Sequence, residues 1–148
     1  MTTTLLVIQH VDREGADLIG TIADEPNSNS LQICQDRILE KKFLNNLAIV
    51  TTQFKSASSY EEIIEGIENL GLPVIIKSNR LGYDGKGQKV IMKKSEVPII
   101  AQEFKNISVI IEKLIDFKLE ISIIICRDVD GKISAYDPAE NIHKNGIL

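Results

Sequence analysis

No apolar run in this chain approaches the roughly 20 residues that a membrane-spanning helix needs. The N-terminal run Leu5-Leu6-Val7-Ile8 is short and lacks the basic flank of a signal peptide. Cysteine is scarce: Cys34 and Cys126 lie far apart in apolar-periodic segments, with no second Cys or His at ligand spacing. Buried reduced thiols are therefore expected, in place of a disulfide or a zinc site. A dominant charge is also lacking. The 17 Lys and Arg against 21 Asp and Glu leave a net charge of −4, and the lysines are dispersed among acids with no basic stripe for a nucleic-acid backbone. Together these absences predict a soluble cytoplasmic protein with neither a membrane nor a nucleic acid as partner. What is present, 148 residues of which 43% are hydrophobic, can bury one core and fits a single domain or a large piece of one.

Along the chain, Leu5 to Gln9 reads as a short strand and Glu14 to Ile22 as a helical piece, followed by the polar linker Glu25-Pro26-Asn27-Ser28-Asn29-Ser30. From Ser30, Leu31, Ile33, Cys34, Ile38, Leu39, Phe43 and Leu44 keep a helical period that predicts one helix to about Asn46. Ile49 to Phe54 reads as a strand or extended link. Ser59-Tyr60-Glu61-Glu62 forms a capping-box pattern ahead of Ile63, Ile64, Ile67 and Leu70, with a stop at Gly71. Pro73 to Ser78 and Gln88 to Lys93 read as strands, and Ser95 to Lys105 as a helix that tolerates Pro98 only in its first turn. Ile107 to Glu112 and Glu120 to Arg127 are β-branched runs, and Asp130-Gly131 signals a hairpin into Lys132 to Tyr136.

The most informative stretch runs from Lys77 to Gln88. A strand ending in lysine empties into a loop with the order Gly82-x-x-Gly85-x-Gly87 and a second lysine, Lys86. Glycines let successive backbone amides converge on an anion, and lysine adds a compact charge, so the stretch points to phosphate. It is neither a Walker loop nor the dinucleotide Gly-x-Gly-x-x-Gly order. Asp128-Val129-Asp130-Gly131 does not make a calcium loop, because Ile133 and Ala139 stand where that loop needs Gly and Glu.

Several separated motifs agree with one family. Gln35-Asp36-Arg37, Lys77, the run from Gly82 to Gln88, Glu112-Lys113-Leu114-Ile115, Glu120-Ile121-Ser122 and Glu140-Asn141-Ile142-His143 together resemble the 5-(carboxyamino)imidazole ribonucleotide synthases, ATPase subunits of phosphoribosylaminoimidazole carboxylase in the ATP-grasp superfamily. The resemblance implies an α+β fold, the ATP-grasp central lobe, with an antiparallel or mixed sheet and packed helices, incomplete at both ends relative to the family. Residues 1–29 would be a remnant of the preceding domain and a linker, and residues 30–148 a partial ATP-grasp domain. The implied activity is ATP-dependent carboxylation of 5-aminoimidazole ribonucleotide by bicarbonate in purine biosynthesis, and the family includes homodimers. By resemblance Arg37 and Lys77 would contact ATP phosphates, under a lid formed by Gly82, Tyr83, Asp84, Gly85, Lys86, Gly87 and Gln88. The backbone of Glu112, Lys113, Leu114 and Ile115 would read the adenine edge, Glu120 would take the ribose hydroxyls, and His143 would approach from the far side. Mg2+ would accompany ATP, with its carboxylate ligands expected beyond this chain.

Each residue also has an ordinary reading. Lys77 alone is a solvated strand end, Arg37 is within reach of Glu40 one turn away, Glu112 and Glu120 are outward strand carboxylates, and His143 is a surface histidine. His10 has no role. Three readings stay open: a segment that supplies the ATP-binding lobe and is inactive alone, a ligase completed by a second polypeptide, and a noncatalytic nucleotide-binding or interaction module.

Overall fold

The computed structural model describes residues 28–80, 87–127, 130 and 132–142. The chain divides into two compact units, one over residues 25–115 and the other over residues 1–24 with 116–148. The expected strand at Leu5 to Gln9 and helix at Glu14 to Ile22 lie outside the described residues.

The first unit opens with α1 (Ser28–Cys34) and α2 (Arg37–Asn46), two helices where the apolar period predicts one. The break is at Asp36, whose carboxylate accepts from the Ile38 and Leu39 amides and so starts a new helix while the apolar period runs on unchanged. Cys34 closes α1 exposed to solvent, which corrects the expectation of a buried thiol; the Cys126 side chain lies outside the description.

β1 (Phe54–Ala57) begins where the expected strand ends, because Phe54 to Ala57 find ladder partners in Glu112 to Val109 while Ile49 and Val50 are exposed. α3 (Tyr60–Leu70) is capped by Ser59, whose hydroxyl accepts from the Glu62 amide. The Glu62 carboxylate returns to the amide and hydroxyl of Ser58, one residue ahead of the position a capping box would use. The helix stops at Gly71, whose φ of 68° is the left-handed conformation that glycine adopts without strain.

β2 (Val74–Ser78), β3 (Gln88–Ile91), α4 (Val97–Phe104, with Pro98 in its first turn) and β4 (Val109–Lys113) complete this unit. The sheet runs in the order β1-β4-β2-β3 with every neighbour antiparallel. Alternation along the strands sends Ala57, Val74, Ile76, Ile91, Val109 and Ile111 to one face. There they bury against Ile63 and Ile67 of α3 and Val97, Ile100, Ala101 and Phe104 of α4. Each fully buried isoleucine of this core is worth about 1.5–3 kcal/mol of transfer free energy.

In the second unit β5 (Glu120–Ser122) pairs with β8 (Ala139–Asn141), and β6 (Ile125–Arg127) pairs with β7 (Ile133–Ala135), both antiparallel. The single run expected from Glu120 to Arg127 is thus two strands in two ladders. Among the described residues no helix is long and apolar enough to cross a membrane.

Candidate functional site

The face of the four-stranded sheet opposite the core carries ionic side chains. Lys77 on β2 stands across from Ile110 of β4, and Glu112, two residues along β4, projects from the same face. Lys77 Nζ donates to Glu112 Oε2 at 2.7 Å, and Lys41 Nζ of α2 lies 3.0 Å from Glu112 Oε1. The carboxylate is buried, with its side chain 7% exposed against 14% for Lys41 and 27% for Lys77. Burial pushes the Glu112 carboxyl up, but the charges and hydrogen bonds of Lys77 and Lys41 outweigh it and hold the group below the usual glutamate value. Glu40, the neighbour of Lys41, moves the other way. Loss of water around it, reinforced by the negative charge of Glu112, raises it against the pull of Lys41, Arg37 and Lys77.

The start of α2 is fastened to the end of β2. Asn79 is buried and donates through Nδ2 to Asp36 Oδ2 at 2.9 Å, while its Oδ1 accepts from the Ile38 amide at 3.1 Å. The Arg37 amide donates to the Asn79 carbonyl, and the Asn79 amide to the Ser108 carbonyl ahead of β4. Arg80 Nε reaches Asp36 Oδ2 at 3.1 Å. The Asp36 carboxylate accepts four hydrogen bonds, which overcome its desolvation and lower its pKa. Arg37 Nη1 donates to the Ser78 carbonyl at 3.1 Å, a partner on β2 that helical spacing does not reveal. Arg37 and Lys41, one helical turn apart, therefore share the face of α2 turned to the sheet.

The feet of the glycine loop are also fixed. The Ser78 amide donates to the Gly87 carbonyl at 2.8 Å, and Gln88 stands opposite Lys77, so the loop joins two neighbouring antiparallel strands. Gly82, Tyr83, Asp84, Gly85 and Lys86, like His143, lie outside the described residues.

Of the four residues expected at the adenine edge, Glu112 lies inside the sheet, across from Ile75 on one side and Phe54 on the other. The Lys113 amide donates to Gln53 and its carbonyl accepts from the Thr52 hydroxyl, while the Leu114 amide donates to Pro73. Lys113 Nζ holds the Gly71 and Leu72 carbonyls at the end of α3, where a cation is favoured. The Ile115 amide has no hydrogen-bond partner among the described residues. In the second unit Glu120 is half-buried and accepts from Asn141 Nδ2 at 2.8 Å; the same amide donates to Ser122 Oγ.

The structure brings Arg37, Lys77 and Glu112 together, with Gly87 and Gln88 beside them. It adds Lys41, Asp36 and Asn79, to which the sequence reading gave no role. The available signal for Lys41 was its four-residue spacing from Arg37. Among the described residues no group of three or more His, Cys, Asp or Glu side chains converges to hold a metal.

A sequence profile described as the ATP-grasp domain matches residues 42–148. The chain is 38% identical over 134 residues to the bifunctional purine synthesis protein purC/E of Dictyostelium discoideum, covering 86% of this chain and 13% of that protein. It is 36% identical over 121 residues to the N5-carboxyaminoimidazole ribonucleotide synthase of Bacillus subtilis, covering 82% and 32%. The crystal structure of N5-carboxyaminoimidazole synthetase from Staphylococcus aureus complexed with ADP superposes with a TM-score of 0.76 at 32% identity, covering 80% of this chain and 32% of that one. The chain thus spans a third or less of each of these proteins. A profile match over well more than half of its length, on a sheet whose strand β2 carries Lys77 next to its end ahead of the glycine loop, shows that the chain belongs to the ATP-grasp family.

Proposed function

We propose that this chain supplies the ATP-capturing lobe for carboxylation of 5-aminoimidazole ribonucleotide with bicarbonate. The observation that carries the reading is the ionic cluster of Lys77, Glu112 and Lys41, with Arg37 alongside, at the foot of the glycine loop. A triphosphate needs concentrated positive charge in partly dry surroundings, where each charge–charge contact is stronger than in water. Lys77, the more exposed of the two lysines on Glu112, would be the group to meet a phosphate, and residues 82–88 would fold over it. The Ile115 amide and the Lys113 carbonyl provide a donor and an acceptor two residues apart for the adenine edge. Glu120 and His143 are proposed on the ribose and far sides of the nucleotide.

The names of the similar proteins support the rest of the reading. Bicarbonate attacks the γ-phosphorus of ATP, ADP leaves, and the carboxyphosphate formed delivers its carbon to the amine of the ribonucleotide with release of phosphate. The contribution of this chain is to bind and orient the triphosphate and to keep water from the intermediate. Mg2+ supplies charge neutralisation when bound to ATP, and its ligands are proposed outside the described residues. The setting proposed is the cytoplasm.

Calorimetric titration of the purified chain with Mg-ATP tests the binding role. Saturable binding is expected, weakened about tenfold or more in Lys77→Ala by loss of a charge-assisted contact. Equal affinity in the variant would remove Lys77 from the phosphate site. Phosphate release on adding bicarbonate and 5-aminoimidazole ribonucleotide would show that this chain also turns ATP over.

A further inference from the structure

Glu112 has its two carboxylate oxygens on two different lysines, and the nucleotide reading uses only one of them. Lys41 takes Oε1 at 3.0 Å from α2, and Lys77 takes Oε2 at 2.7 Å from β2. We propose that Lys41 is a positioning residue, a dedicated counter-ion that holds Glu112 so that the charge of Lys77 is available to a nucleotide's phosphates. The proposal rests on the nucleotide reading above.

Charge makes the case first. Lys77 and Glu112 alone sum to zero, and a neutral pair offers an anion no net attraction. With Lys41 the group carries one net positive charge. A phosphate that draws Lys77 toward itself would leave a buried carboxylate facing another anion, an arrangement penalised by both desolvation and repulsion. Lys41 removes that penalty, because it already neutralises the carboxylate from the other side.

Geometry makes the case second. Lys41 is the less exposed lysine, 14% against 27%, so it is the inner partner and Lys77 the outward one. Its helix is pinned independently of Lys77 by Asp36 and Asn79, which join the start of α2 to the end of β2. Lys41 thus keeps its place on Glu112 whichever way the Lys77 ammonium turns. An ammonium has three donors, and Lys77 spends one of them on Glu112.

The experiment is a double-mutant cycle on the 148-residue chain, with affinities for ATP and adenosine measured by calorimetry in the wild type, Lys41→Met, Glu112→Gln and the double variant that combines them. In Lys41→Met, ATP binding is expected to weaken about tenfold, because Lys77 is then committed to an otherwise unpaired carboxylate, while adenosine affinity stays within about threefold. In the Glu112→Gln background the loss of Lys41 should cost ATP binding less than about threefold, since no carboxylate remains to neutralise. The double variant leaves no carboxylate without a counter-ion, so its comparison with Glu112→Gln decides the question even where Lys41→Met alone does not fold. A tenfold loss between Glu112→Gln and the double variant would mean that Lys41 touches the phosphates itself, and would overturn the proposal. So would unchanged ATP affinity in Lys41→Met. Absence of ATP binding by the folded wild type would instead overturn the nucleotide reading, and this inference with it.

Discussion

Asp36 and Glu112 are buried carboxylates with every oxygen engaged, and they tie stability to pH in one direction. Asp36 accepts four hydrogen bonds at the start of α2, and Glu112 is held between two ammonium groups. Both have pKa values lowered from their ordinary 3.8 and 4.5. A group whose folded pKa is depressed contributes stability above its unfolded pKa and loses it as pH falls through the folded value. Glu40, raised from 4.5, acts oppositely: its contribution is present below that value and fades as pH rises through the folded one. Glu40 loses some of its water but keeps much of its surface in solvent, which screens it, so its effect is the smaller and acid should destabilise the protein. Urea unfolding is expected to show Glu112→Gln less stable than the wild type by about 2 kcal/mol near pH 7, since both lysines lose a buried partner. The gap should narrow as pH falls through the lowered folded-state pKa of Glu112, below which the wild-type carboxylate is also neutral. A gap that stays constant across this range would show that the ion pairs add nothing.

At the scale of elements, the packing of α3 on β4 turns on one glycine. Gly66 lies on the buried face of α3 with Ile63 and Ile67, and a Cβ built there would come within 2.8 Å of Ile111 Cδ1. Gly66→Ala gains about 1 kcal/mol of helix propensity but forces a fully buried isoleucine aside, a cost of about 1–3 kcal/mol. The substitution should therefore be neutral to destabilising, by up to about 2 kcal/mol. Ile111→Val, which deletes the clashing methyl, should make Gly66→Ala stabilising in its background. Thermal melts of the four proteins in this cycle measure the coupling, and strict additivity would show that the helix shifts instead. α3 was readable in the sequence because its cap, apolar period and terminal glycine all lie within thirteen residues, Ser59 to Gly71. The division of α1 from α2 was not, because the apolar period runs on unbroken through the Asp36 cap, whose second oxygen is held by Asn79 and Arg80, more than forty residues away. β1 moved toward the C-terminus of its expected place for a similar reason: its extent is set by pairing with β4, and Ile49 and Val50 have no such ladder.

At the scale of the whole molecule, stability is unevenly spread. The buried hydrophobic core runs from Ala57 to Ile111, all within the first unit, whereas none of residues 116–125, 130 and 132–142 is buried. Amides protected by a buried core open only with global unfolding, and those in exposed ladders open locally. Hydrogen exchange should therefore be slowest in β2 and β4, the central strands, and at least tenfold faster in β5 to β8. Equal protection in the two sets would mean that the second unit is stabilised by contacts beyond its own ladders.

Local pattern alone was enough to read the strands and helices whose apolar period is short-ranged, the glycine loop after Lys77, and the family resemblance through its separated motifs. It also placed Arg37, Lys77 and Glu112 among the residues of interest without saying which of them touch. It took the folded chain to set Glu112 inward between two lysines, to fasten α2 to β2 through Asp36 and Asn79, and to leave Cys34 exposed. The physical reason is one of range. Propensity, capping and periodicity act over a few residues, whereas strand register and a buried ion pair join positions that chain order keeps apart, and they form only when the sheet has fixed which faces meet.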